Sequence, residues 1–412
     1  MLKCPCCVRH LKIYVVRLIS PDSTANAFAS VVSDTPLMVN LAVVGQRRTG
    51  IANYAINVLP HLQMLNLTLL SPQPREFLQA QGLTTYHYRS VPANLSPDAG
   101  KAGHLRRLVW TQLTLPRLCY SLTHQPLGAR SPSSLEQVKP LLFSPLPEAP
   151  LFSQCRSVVM VHDLIPLRFP NWRSPLTPYF RYYVPRVLAQ AQHILCNSKA
   201  TADEVMQQFG MTAQKLTPIP LGYDASHFRP LNLPTRNYFL YLGRCDPHKN
   251  VSRILTAFAQ LPKPRAYELW LVGPLDARYT PRLMAQATEL GIAAQVKMVD
   301  YVPYANLPQI LGQAIALVFP SLWEGFGLPV LEAMACGTPV ITSNRSALPE
   351  VAGDAALLVN PEDVREIAAA MEQVATQPQM RSHLQTAGLA RAAQFSWQLT
   401  GAQTAAVLQR FL

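Results

Sequence analysis

The densest chemical signal in the sequence is a loop between a short apolar strand and a helix. Residues 321–341 read SLWEGFGLPVLEAMACGTPVI. Glu324 stands just before the predicted helix, and Glu332 stands about one turn inside it. A charged carboxylate is a strong acceptor for hydroxyl donors. Two acids at this spacing therefore predict a grip on two parts of one extended, hydroxyl-bearing ligand.

The same loop could also hold an anion. Gly325-Phe326-Gly327 can bring backbone N–H groups close to a ligand, and the N-terminal end of the following helix favours negative charge by about 1–2 kcal/mol. Pro329 fits the first turn of that helix because its missing N–H is not needed there. Isolated acids would be solvated surface residues. The glycine-containing turn between them favours a binding site for phosphate or sugar hydroxyls.

The elements that must position this loop alternate between apolar strands and amphipathic helices. In the second half of the chain the predicted strands are YFLYLG, ELWLVG, VKMVD, IALVFP and PVIT. In the first half they are PLMVNLAVVG, SVVMVHD and HILCNS, and the helix after the last is predicted to open with the capping box Thr201-x-x-Glu204. Residues 65–155 are rich in Pro, Ser and Arg, and their pattern indicates a few helical fragments. Near-continuous apolar strands with helical crossovers predict an α/β protein with parallel sheets.

A chain of 412 residues is longer than a single hydrophobic core usually accommodates, so two domains are expected. The polar, proline-containing stretch 228–237 is the predicted linker. We expect a poorly ordered extension at 1–35, a first doubly wound domain at 36–230 and a second at 231–412, with helix 396–412 packing back on the first domain. Ligands of doubly wound domains bind at the carboxyl ends of the strands.

Charge is distributed unevenly between the two halves. The net charge is +13, and residues 1–230 carry 22 of the 36 lysines and arginines but 10 of the 23 acids. This asymmetry predicts an anionic partner for the first half, such as a lipid surface, nucleic acid or a phosphorylated substrate. A basic solvated surface explains it equally well. A nucleic-acid module fits less well, because no zinc-finger, RNP or homeodomain pattern is present.

Cysteine usage favours a reducing compartment. The eight cysteines do not show paired zinc-ligand spacing, and several lie in predicted strands, where a free thiol is a small apolar group. No apolar stretch reaches about 18 residues, and Arg17 interrupts a short one near the N-terminus. We therefore expect neither a spanning helix nor a signal peptide. The predicted location is cytoplasmic, with peripheral contact on the inner face of the plasma membrane allowed by the basic first half.

Several segments together resemble one family. The run EGFGLPVLEAMACGTPVI resembles the E-x7-E signature of the family-4 retaining glycosyltransferases of GT-B fold. YLGRCDPHKN is similar to their diphosphate motif, TGIANYA to their glycine loop and VHDLIPLRFPN to their His-Asp segment. VDYVPYANLPQIL resembles the stretch that flanks the base, and FSWQLTGAQT resembles the closing helix. The resemblance covers residues 37–412 and implies two Rossmann-like domains facing across a cleft. The domain at 36–230 would bind the acceptor, and the domain at 231–412 would bind the nucleotide sugar.

The resemblance also implies roles for individual residues. Glu332 would hold the ribose hydroxyls, Glu324 and the loop amides would line the transferred sugar, and Val302 would flank the base. The donor-binding residues expected in this way are Gly50, Arg244, Lys249, Val302, Glu324, Gly325, Phe326, Gly327, Leu328 and Glu332. Those expected to act in catalysis are Glu324, His162, Arg244 and Lys249, with both cations neutralising the leaving diphosphate.

Other positions allow a structural role as well as a role in the site. His162 directly follows the strand SVVMV, where the family places a histidine near sugar and acceptor, although a lone histidine is more often structural. Asp163 is expected to orient that ring or to cap the next segment. Asn53 stands where many relatives carry arginine, with Arg47 and Arg48 close by. No Asp-x-Asp motif is present, and the resemblance implies transfer without a metal or other cofactor.

The implied function is retaining transfer of a hexose from a GDP- or UDP-linked donor to a polysaccharide or lipid-linked oligosaccharide in cell-surface glycan synthesis. Mannose is the first expectation, because HDLIPLRFPN resembles bacterial polysaccharide mannosyltransferases. Two alternatives stay open. One is a GT-B nucleotide-sugar epimerase, which needs no acceptor, and the other is a catalytically idle binder of nucleotide sugar or of a membrane surface. Nucleic acid is not an expected partner.

Overall fold

The computed structural model describes residues 35–46, 49–123, 139–171 and 174–412. The predicted extension at 1–35 therefore lies, except for Thr35, outside the described residues, as do Arg47 and Arg48. Within the described ranges the strands form two sheets, and every strand pair is parallel. Each sheet with its helices is called here the first or the second unit.

Most strand residues of the first unit are buried. They are Leu37–Asn40 (β1), Leu67–Ser71 (β2), His87–Ser90 (β3), Leu141–Ser144 (β4), Arg156–Val161 (β5), His193–Cys196 (β6) and Leu216–Pro218 (β7). The strands of the second unit are Tyr238–Leu242 (β8), Glu268–Val272 (β9), Val296–Val299 (β10), Ala316–Phe319 (β11), Val340–Ser343 (β12) and Leu357–Val359 (β13).

Both sheets reverse their strand order at an interior point. The first runs β3-β2-β1-β4-β5-β6-β7 and the second β10-β9-β8-β11-β12-β13. Chain order changes direction between β1 and β4 and again between β8 and β11. The loops after such strands leave a crevice at the carboxyl edge, which is where doubly wound sheets bind ligands. The topology therefore gives each unit one crevice.

Helices cover both sheets. Those of the first unit are Gly50–Val58 (α1), Arg75–Gln79 (α2), Gly100–Leu113 (α3), Leu115–Thr123 (α4), Ile165–Arg168 (α5), Leu176–Pro178 (α6), Val184–Gln190 (α7) and Lys199–Phe209 (α8). The later helices are Val251–Ala259 (α9), Thr280–Glu289 (α10), Leu307–Gly312 (α11), Leu328–Ala335 (α12), Leu348–Ala352 (α13), Val364–Thr376 (α14), Pro378–Ala392 (α15) and Trp397–Gln409 (α16). Across the described ranges, none of these helices combines the length and the apolar character that a membrane span requires.

The start of α8 differs from the prediction. The N-cap is Ser198, whose hydroxyl accepts from the Thr201 N–H at 3.0 Å, so the capping box that was predicted to begin at Thr201 is wrong. Glu204 is buried and accepts from the Arg168 guanidinium at 3.2 Å instead of returning to the helix end. A serine three residues upstream takes the cap because the strand already ends at Cys196.

The expectation of free thiols is wrong at two positions. Cys119 on α4 and Cys155, just before β5, are joined by a disulfide. Neither lies in a strand, and the packing of α4 beside the β4–β5 connection brings them together. Cys196, Cys245 and Cys336 are free and buried, as expected of small apolar side chains.

The last helix of the chain crosses back to the first unit. α16 packs against α1 and the turn that follows it. The hydroxyl of Thr400 donates to the Pro220 carbonyl at 2.7 Å, and a Cβ placed at Gly401 would overlap the side chain of His61. Glycine at this point lets the two helical segments approach closely. α16 therefore ties the second unit to the first.

This close approach predicts the effect of a larger residue at position 401. Gly401→Leu should destabilise the protein by about 1–3 kcal/mol, because the new side chain must displace His61 or separate α16 from the first unit. Urea unfolding followed by circular dichroism measures the change. Ala402→Leu is the matched control, since Ala402 is exposed on the same helix. Equal midpoints for the two variants would contradict the packing of α16 described above.

Candidate active site

The predicted site residues come from loops at the two crevices. The loop after β1 leads to Gly50, and His162 follows β5 directly. Arg244 and Lys249 lie after β8, and Glu324 lies after β11. Because parallel strands end at one edge, the topology gathers these loops, and the two units present them to each other across a cleft.

An ion pair spans the two loops of the second unit. The Lys249 Nζ lies 2.6 Å from Oε1 and 2.8 Å from Oε2 of Glu324. Both side chains are largely buried, and the ammonium group also lies 5.5 Å from the centre of the Phe319 ring. In the ligand-free cleft, a cation suited to phosphate and a carboxylate suited to sugar hydroxyls therefore satisfy each other.

Buried hydrogen bonds hold this pair in place. Asn250, which adopts a left-handed conformation at φ 65°, donates to the carbonyls of Pro320 at 2.9 Å and Pro361 at 2.6 Å. The Leu322 N–H donates to the His248 carbonyl at 2.8 Å. The loops after β8 and β11 are thus joined on both sides of Lys249. A joined pair of loops positions the ion pair without help from a ligand.

Glu324 leads directly into the closest approach between the units. A Cβ at Gly325 would overlap the carbonyl oxygen of His162, so only glycine fits. The Gly325 carbonyl accepts from the hydroxyls of Ser198 at 2.7 Å and Thr201 at 3.2 Å. Backbone of the second unit is therefore hydrogen-bonded to the first unit within the predicted donor loop.

Two neighbouring contacts strengthen the same junction. The Glu350 carboxylate of α13 accepts from the Lys199 N–H at 2.9 Å and from the Ala200 N–H at 3.2 Å, at the N-terminal end of α8. A carboxylate is favoured there by the helix dipole. Trp323 donates to Glu204 at 3.1 Å and lies under the Arg168 guanidinium, 3.5 Å from its ring centre. These contacts set the position of the donor loop relative to the first unit.

The N-terminal end of α12 is open toward the cleft. Gly327 is the N-cap at φ 112°, a conformation that favours glycine, and it provides no capping side chain. The N–H groups of the first helical turn have no intrahelical acceptors. Phe326, Gly327 and Leu328 therefore offer backbone donors at a helix end that attracts anions.

Glu332 lies one turn further along α12, beside a small cavity. Burial raises the pKa of its carboxyl to about 8. The cavity also contains Asn53 and Asn57 from α1, together with Asp224 and Tyr304. Polar groups of both units thus meet at the second glutamate of the pair. At neutral pH the carboxyl is mostly protonated until a ligand with hydroxyl donors favours its ionised form.

His162 is a neutral imidazole in this cleft. Burial lowers the pKa of its ring to about 4. Its Nε2 lies 2.9 Å from the Pro145 carbonyl oxygen, which can only accept, so Nε2 carries the proton and Nδ1 is an acceptor. The Tyr54 ring packs edge-on against it at 5.3 Å. His162 can therefore accept from a hydroxyl, but it supplies no positive charge for phosphate.

Asp163 caps the segment that follows it. Its Oδ1 accepts from the Ile165 N–H at 3.0 Å, and burial raises its pKa to about 6, with the nearby Glu324 charge raising it further. The sequence predicts that Asp163 either caps the following segment or orients the His162 ring. Its hydrogen bond with the Ile165 N–H corresponds to the first alternative.

Arg244 is placed apart from the Lys249–Glu324 pair. Its side chain is exposed, and Nε lies 3.0 Å from Asp246 Oδ2. Arg244 lines a cavity of about 790 Å³ that lies between the α5–α6 segment of the first unit and the loops after β8 and β9. The structure therefore brings Lys249 and Glu324 together and places Arg244 at the rim of the cleft.

Comparison with known proteins identifies the family to which this chain belongs. The sequence model of the group 1 glycosyl transferases matches residues 224–391, and that of Glycosyltransferase Family 4 matches residues 140–227. O-antigen chain mannosyltransferase B of Escherichia coli is 31% identical over 262 residues, which cover 60% of this chain and 69% of that protein. The chain belongs to the family-4, group 1 glycosyltransferases.

A second relative and one solved structure agree. MMP alpha-(1->4)-mannosyltransferase of Mycolicibacterium hassiacum is 37% identical over 248 residues, covering 58% of this chain and 60% of that protein. Sucrose-phosphate synthase from Thermosynechococcus elongatus superposes with a TM-score of 0.68 at 19% identity, covering 92% of this chain and 99% of that one. The predicted α/β GT-B fold and the enzyme class, a glycosyltransferase of the hexosyl type, are confirmed.

Three other predicted donor residues of this glycosyltransferase occupy less distinctive surroundings. Gly50 is exposed at the start of α1, and a Cβ there would meet nothing within 4 Å. Val302 is half-buried and packs on the core of the second unit, two residues before Tyr304 of the Glu332 cavity. Phe326 is buried. Roles in binding for these residues stay predictions.

Several residues of the cleft could not be identified from the sequence. Ser198, Thr201 and Glu350 form the junction with the donor loop, yet they lie 127, 124 and 151 positions from their partners. Asn57 and Tyr304 line the cavity at Glu332. Ser198 ends a predicted strand, and a serine at that position indicates a helix cap. Its hydrogen bond to the Gly325 carbonyl could not be predicted without the fold.

The contact at Gly325 makes a sharp prediction about activity. Gly325→Ala should lower kcat/KM of the glycosyltransferase by about 100-fold or more, because the added methyl group forces the donor loop away from His162. Gly312→Ala is the matched control in the second unit, where a Cβ would meet only the Cys336 carbonyl at 3.8 Å. Melting temperatures report whether either variant is misfolded. Wild-type turnover by a folded Gly325→Ala variant would contradict the required approach.

The raised pKa of Glu332 predicts a pH dependence of nucleotide binding. Affinity for the nucleoside diphosphate should rise about tenfold between pH 7 and pH 9, because the carboxylate form accepts from ribose hydroxyls and its population rises through a pKa of about 8. The terminal phosphate of the ligand ionises near pH 6 and is constant in this interval. Calorimetry at several pH values measures the change.

Glu332→Gln is the control for this profile. The variant should bind more weakly and show a flat profile over the same interval. Burial raises the pKa of Cys336 to about 12 and that of Tyr223 above its usual value, so neither of these two neighbours titrates in this interval. A tenfold rise that persists in Glu332→Gln would assign the effect to another group.

Proposed function

We propose that this glycosyltransferase moves mannose, with retention of configuration, from a GDP- or UDP-linked donor to a glycan or lipid-linked acceptor in cell-surface polysaccharide synthesis. The observation that carries the proposal is the Lys249–Glu324 pair, poised between the diphosphate and sugar positions of one cleft. Two relatives named as mannosyltransferases, one of them for O-antigen chains, support the sugar and the pathway class.

Donor binding would exchange partners within the ion pair. Diphosphate oxygens compete for the Lys249 ammonium group and receive N–H donors from the start of α12. Loss of its cation leaves the Glu324 carboxylate free to accept from hydroxyls of the sugar. Glu332 accepts from the ribose hydroxyls one turn along the same helix. A single element thereby binds both ends of the donor.

Departure of the nucleoside diphosphate develops negative charge that fixed donors can stabilise. Lys249 and the amides at the N-terminal end of α12 lie where that charge forms. Arg244 is paired with Asp246 at the rim of the same cleft, and its exposed guanidinium would be the second cation for the phosphate. The charge stabilisation comes from groups of this chain, and a metal-independent reaction is part of the proposal.

His162 would position a hydroxyl of the sugar or the acceptor through Nδ1. Its neutral state suits that task, because an imidazolium would pair with phosphate instead. The Asp163 carboxylate accepts a hydrogen bond from the Ile165 N–H. We assign no carboxylate of the described cleft as a nucleophile. Retention then follows from attack on the face from which the diphosphate leaves, with the departing phosphate accepting the proton of the acceptor hydroxyl.

The acceptor would enter through the 790 Å³ cavity beside this centre. Its walls combine rings and polar groups of both units, including Phe169, Asn171 and His248. The Phe169 and His248 rings lie 5.6 Å apart. Aromatic faces with flanking polar side chains suit a sugar ring. The first unit therefore contributes the acceptor side, and the second unit contributes the donor side.

The first experiment separates transfer from its alternatives. Purified protein is incubated with GDP-mannose, UDP-glucose or UDP-galactose, with and without a lipid-linked oligosaccharide, and products are resolved by chromatography and proton NMR. We expect mannose on the acceptor with the anomeric configuration of the donor. A changed nucleotide sugar without acceptor would favour epimerisation, and inverted anomeric signals would contradict retention.

The two cations predict a further result. Arg244→Ala combined with Lys249→Ala should lower kcat at least about tenfold, because charge on the leaving diphosphate loses stabilisation. Steady-state kinetics with saturating donor measure the loss. The matched control is Lys263→Ala combined with Arg282→Ala, since both side chains are exposed elsewhere on the second unit. Equal kcat values for the two double variants would remove the cations from the mechanism.

A further inference from the structure

The guanidinium group of Arg168, at the end of α5, is held on two sides by other side chains. Its Nε donates to Glu204 Oε1 at 3.2 Å, and its Cζ lies 3.5 Å from the centre of the Trp323 ring. The Trp323 indole N–H donates to Oε2 of Glu204 at 3.1 Å. Among the described residues, none accepts from the two Nη groups of Arg168. One edge of a fixed, planar cation is therefore available to a ligand.

That edge belongs to a cavity between the two units. Arg168 lines the cavity of about 790 Å³ described above, and 39% of its side chain is exposed. Glu204, in contrast, is buried. Because Glu204 and Trp323 cover the Nε edge and one face of the guanidinium group, its exposed part is the Nη edge and the other face. We call this space the Arg168 cavity.

The other two arginines that line the Arg168 cavity are also paired with acids. Arg244 Nε lies 3.0 Å from Asp246 Oδ2. Arg278 Nη2 lies 2.5 Å from Asp276 Oδ2. Each of these arginines also approaches the acid of the other, at 4.0 and 3.8 Å. Together with the pair at Arg168, the arginines of the described wall are thus each matched by an acid, and the wall carries charge without a net excess.

The rest of the described wall is uncharged at neutral pH. Burial lowers the pKa of the His248 ring below its usual value, so that ring is mostly neutral at pH 7. Phe169 lies beside it, and Asn171 and Thr177 add polar groups. A sugar hydroxyl both donates and accepts hydrogen bonds, so it can use the arginines and the acids together. A carboxylate or phosphate can only accept, and it would meet cations that are already neutralised.

We propose that the Arg168 cavity binds a neutral saccharide end of the acceptor and that Arg168 is its specificity-determining residue. This inference rests on the proposed function, which places the acceptor in the same cavity. The two Nη groups of Arg168 donate to adjacent sugar hydroxyls, because the guanidinium fork spaces its donors for neighbouring oxygens. Asp246 accepts from a further hydroxyl. When the donor diphosphate draws Arg244 to itself, the acids at the cavity outnumber its arginines, and an anionic sugar is repelled.

Binding of saccharides without turnover tests the proposal. The full chain, with GDP and UDP present, is titrated with a linear manno-oligosaccharide and with an oligogalacturonate of the same length, and saturation-transfer NMR reports the affinities. We expect the neutral saccharide to bind at least about tenfold more tightly, because the acids of the cavity repel carboxylates. Absence of binding by the manno-oligosaccharide, or equal affinity for the two saccharides, would overturn the proposal.

The role of Arg168 is tested by Arg168→Gln combined with Glu204→Gln. This double variant keeps the charge balance and an acceptor for Trp323, and its melting temperature checks the fold. Loss of the charged donors should weaken binding of the manno-oligosaccharide about tenfold or more and raise the acceptor KM by the same factor. Nucleotide affinity, measured by calorimetry, should be unchanged. A parallel loss of nucleotide affinity would instead assign Arg168 to support of the donor loop, and wild-type saccharide affinity would remove it from the site.

The charge balance predicts a gain of binding. Asp246→Asn combined with Asp276→Asn leaves the two neighbouring arginines without acids, so affinity for the oligogalacturonate should rise about tenfold while the neutral saccharide binds as before. Glu289→Gln combined with Glu372→Gln is the matched control, because it removes two exposed acids outside the cavity wall. The control should change neither affinity. An Asp246/Asp276 variant that still rejects the oligogalacturonate would contradict selection by charge.

The outcome can be separated from that of the proposed function. Saccharide affinity is read without a sugar donor, so a protein that binds the manno-oligosaccharide but transfers another sugar, or inverts its configuration, keeps the Arg168 assignment and discards the proposed reaction. Conversely, transfer of mannose with an unchanged acceptor KM in the Arg168/Glu204 variant keeps the reaction and discards the assignment.

Discussion

The approach of Gly325 to His162 is the constraint on which the active site depends. A residue without a side chain places the donor loop against the carbonyl of the facing strand end, and Ser198 and Thr201 hold the loop carbonyl there. Glu324 precedes this point and the amide donors of α12 follow it. One backbone contact between the units therefore sets the distance between Glu324 and the α12 amides on one side and His162 on the other. The doubly wound sheets act as the scaffold that brings both loops to that point.

The charges of the cleft are paired or suppressed. Lys249 and Glu324 neutralise each other, His162 is neutral because burial lowers its pKa, and Glu332 is mostly protonated at neutral pH because burial raises its pKa. Isolated charges in such a site would be costly. Under the proposed function, a nucleotide sugar would offer anionic oxygens to the lysine and hydroxyl donors to both acids. Binding would then exchange one set of partners for another without leaving a buried charge alone.

The sequence predicted those features that depend on local spacing. The strands near Glu324, Arg244 and His162 and the helix after Gly327 follow from apolar runs and glycines, and the family was recognisable from motifs in order. Contacts between distant segments could not be predicted. The partner of Ser198 lies 127 positions away, and Cys119 meets Cys155 only through the packing of α4. The strands β2, β3 and β4 lie in the proline-rich region where hydrophobic periodicity was weakest.

The positive charge of the first unit has two different physical roles. Arg107 and Arg168 are held by the buried acids Glu148 and Glu204, so they organise the interior and the junction between the units. Lys101, Arg106 and Arg117 are exposed, and none of them has an acidic partner among the described residues. In the second unit the charge is nearly balanced, and Lys249 is paired with Glu324. The positive charge of the first unit therefore divides into arginines that fix the packing and cations that stay at the surface.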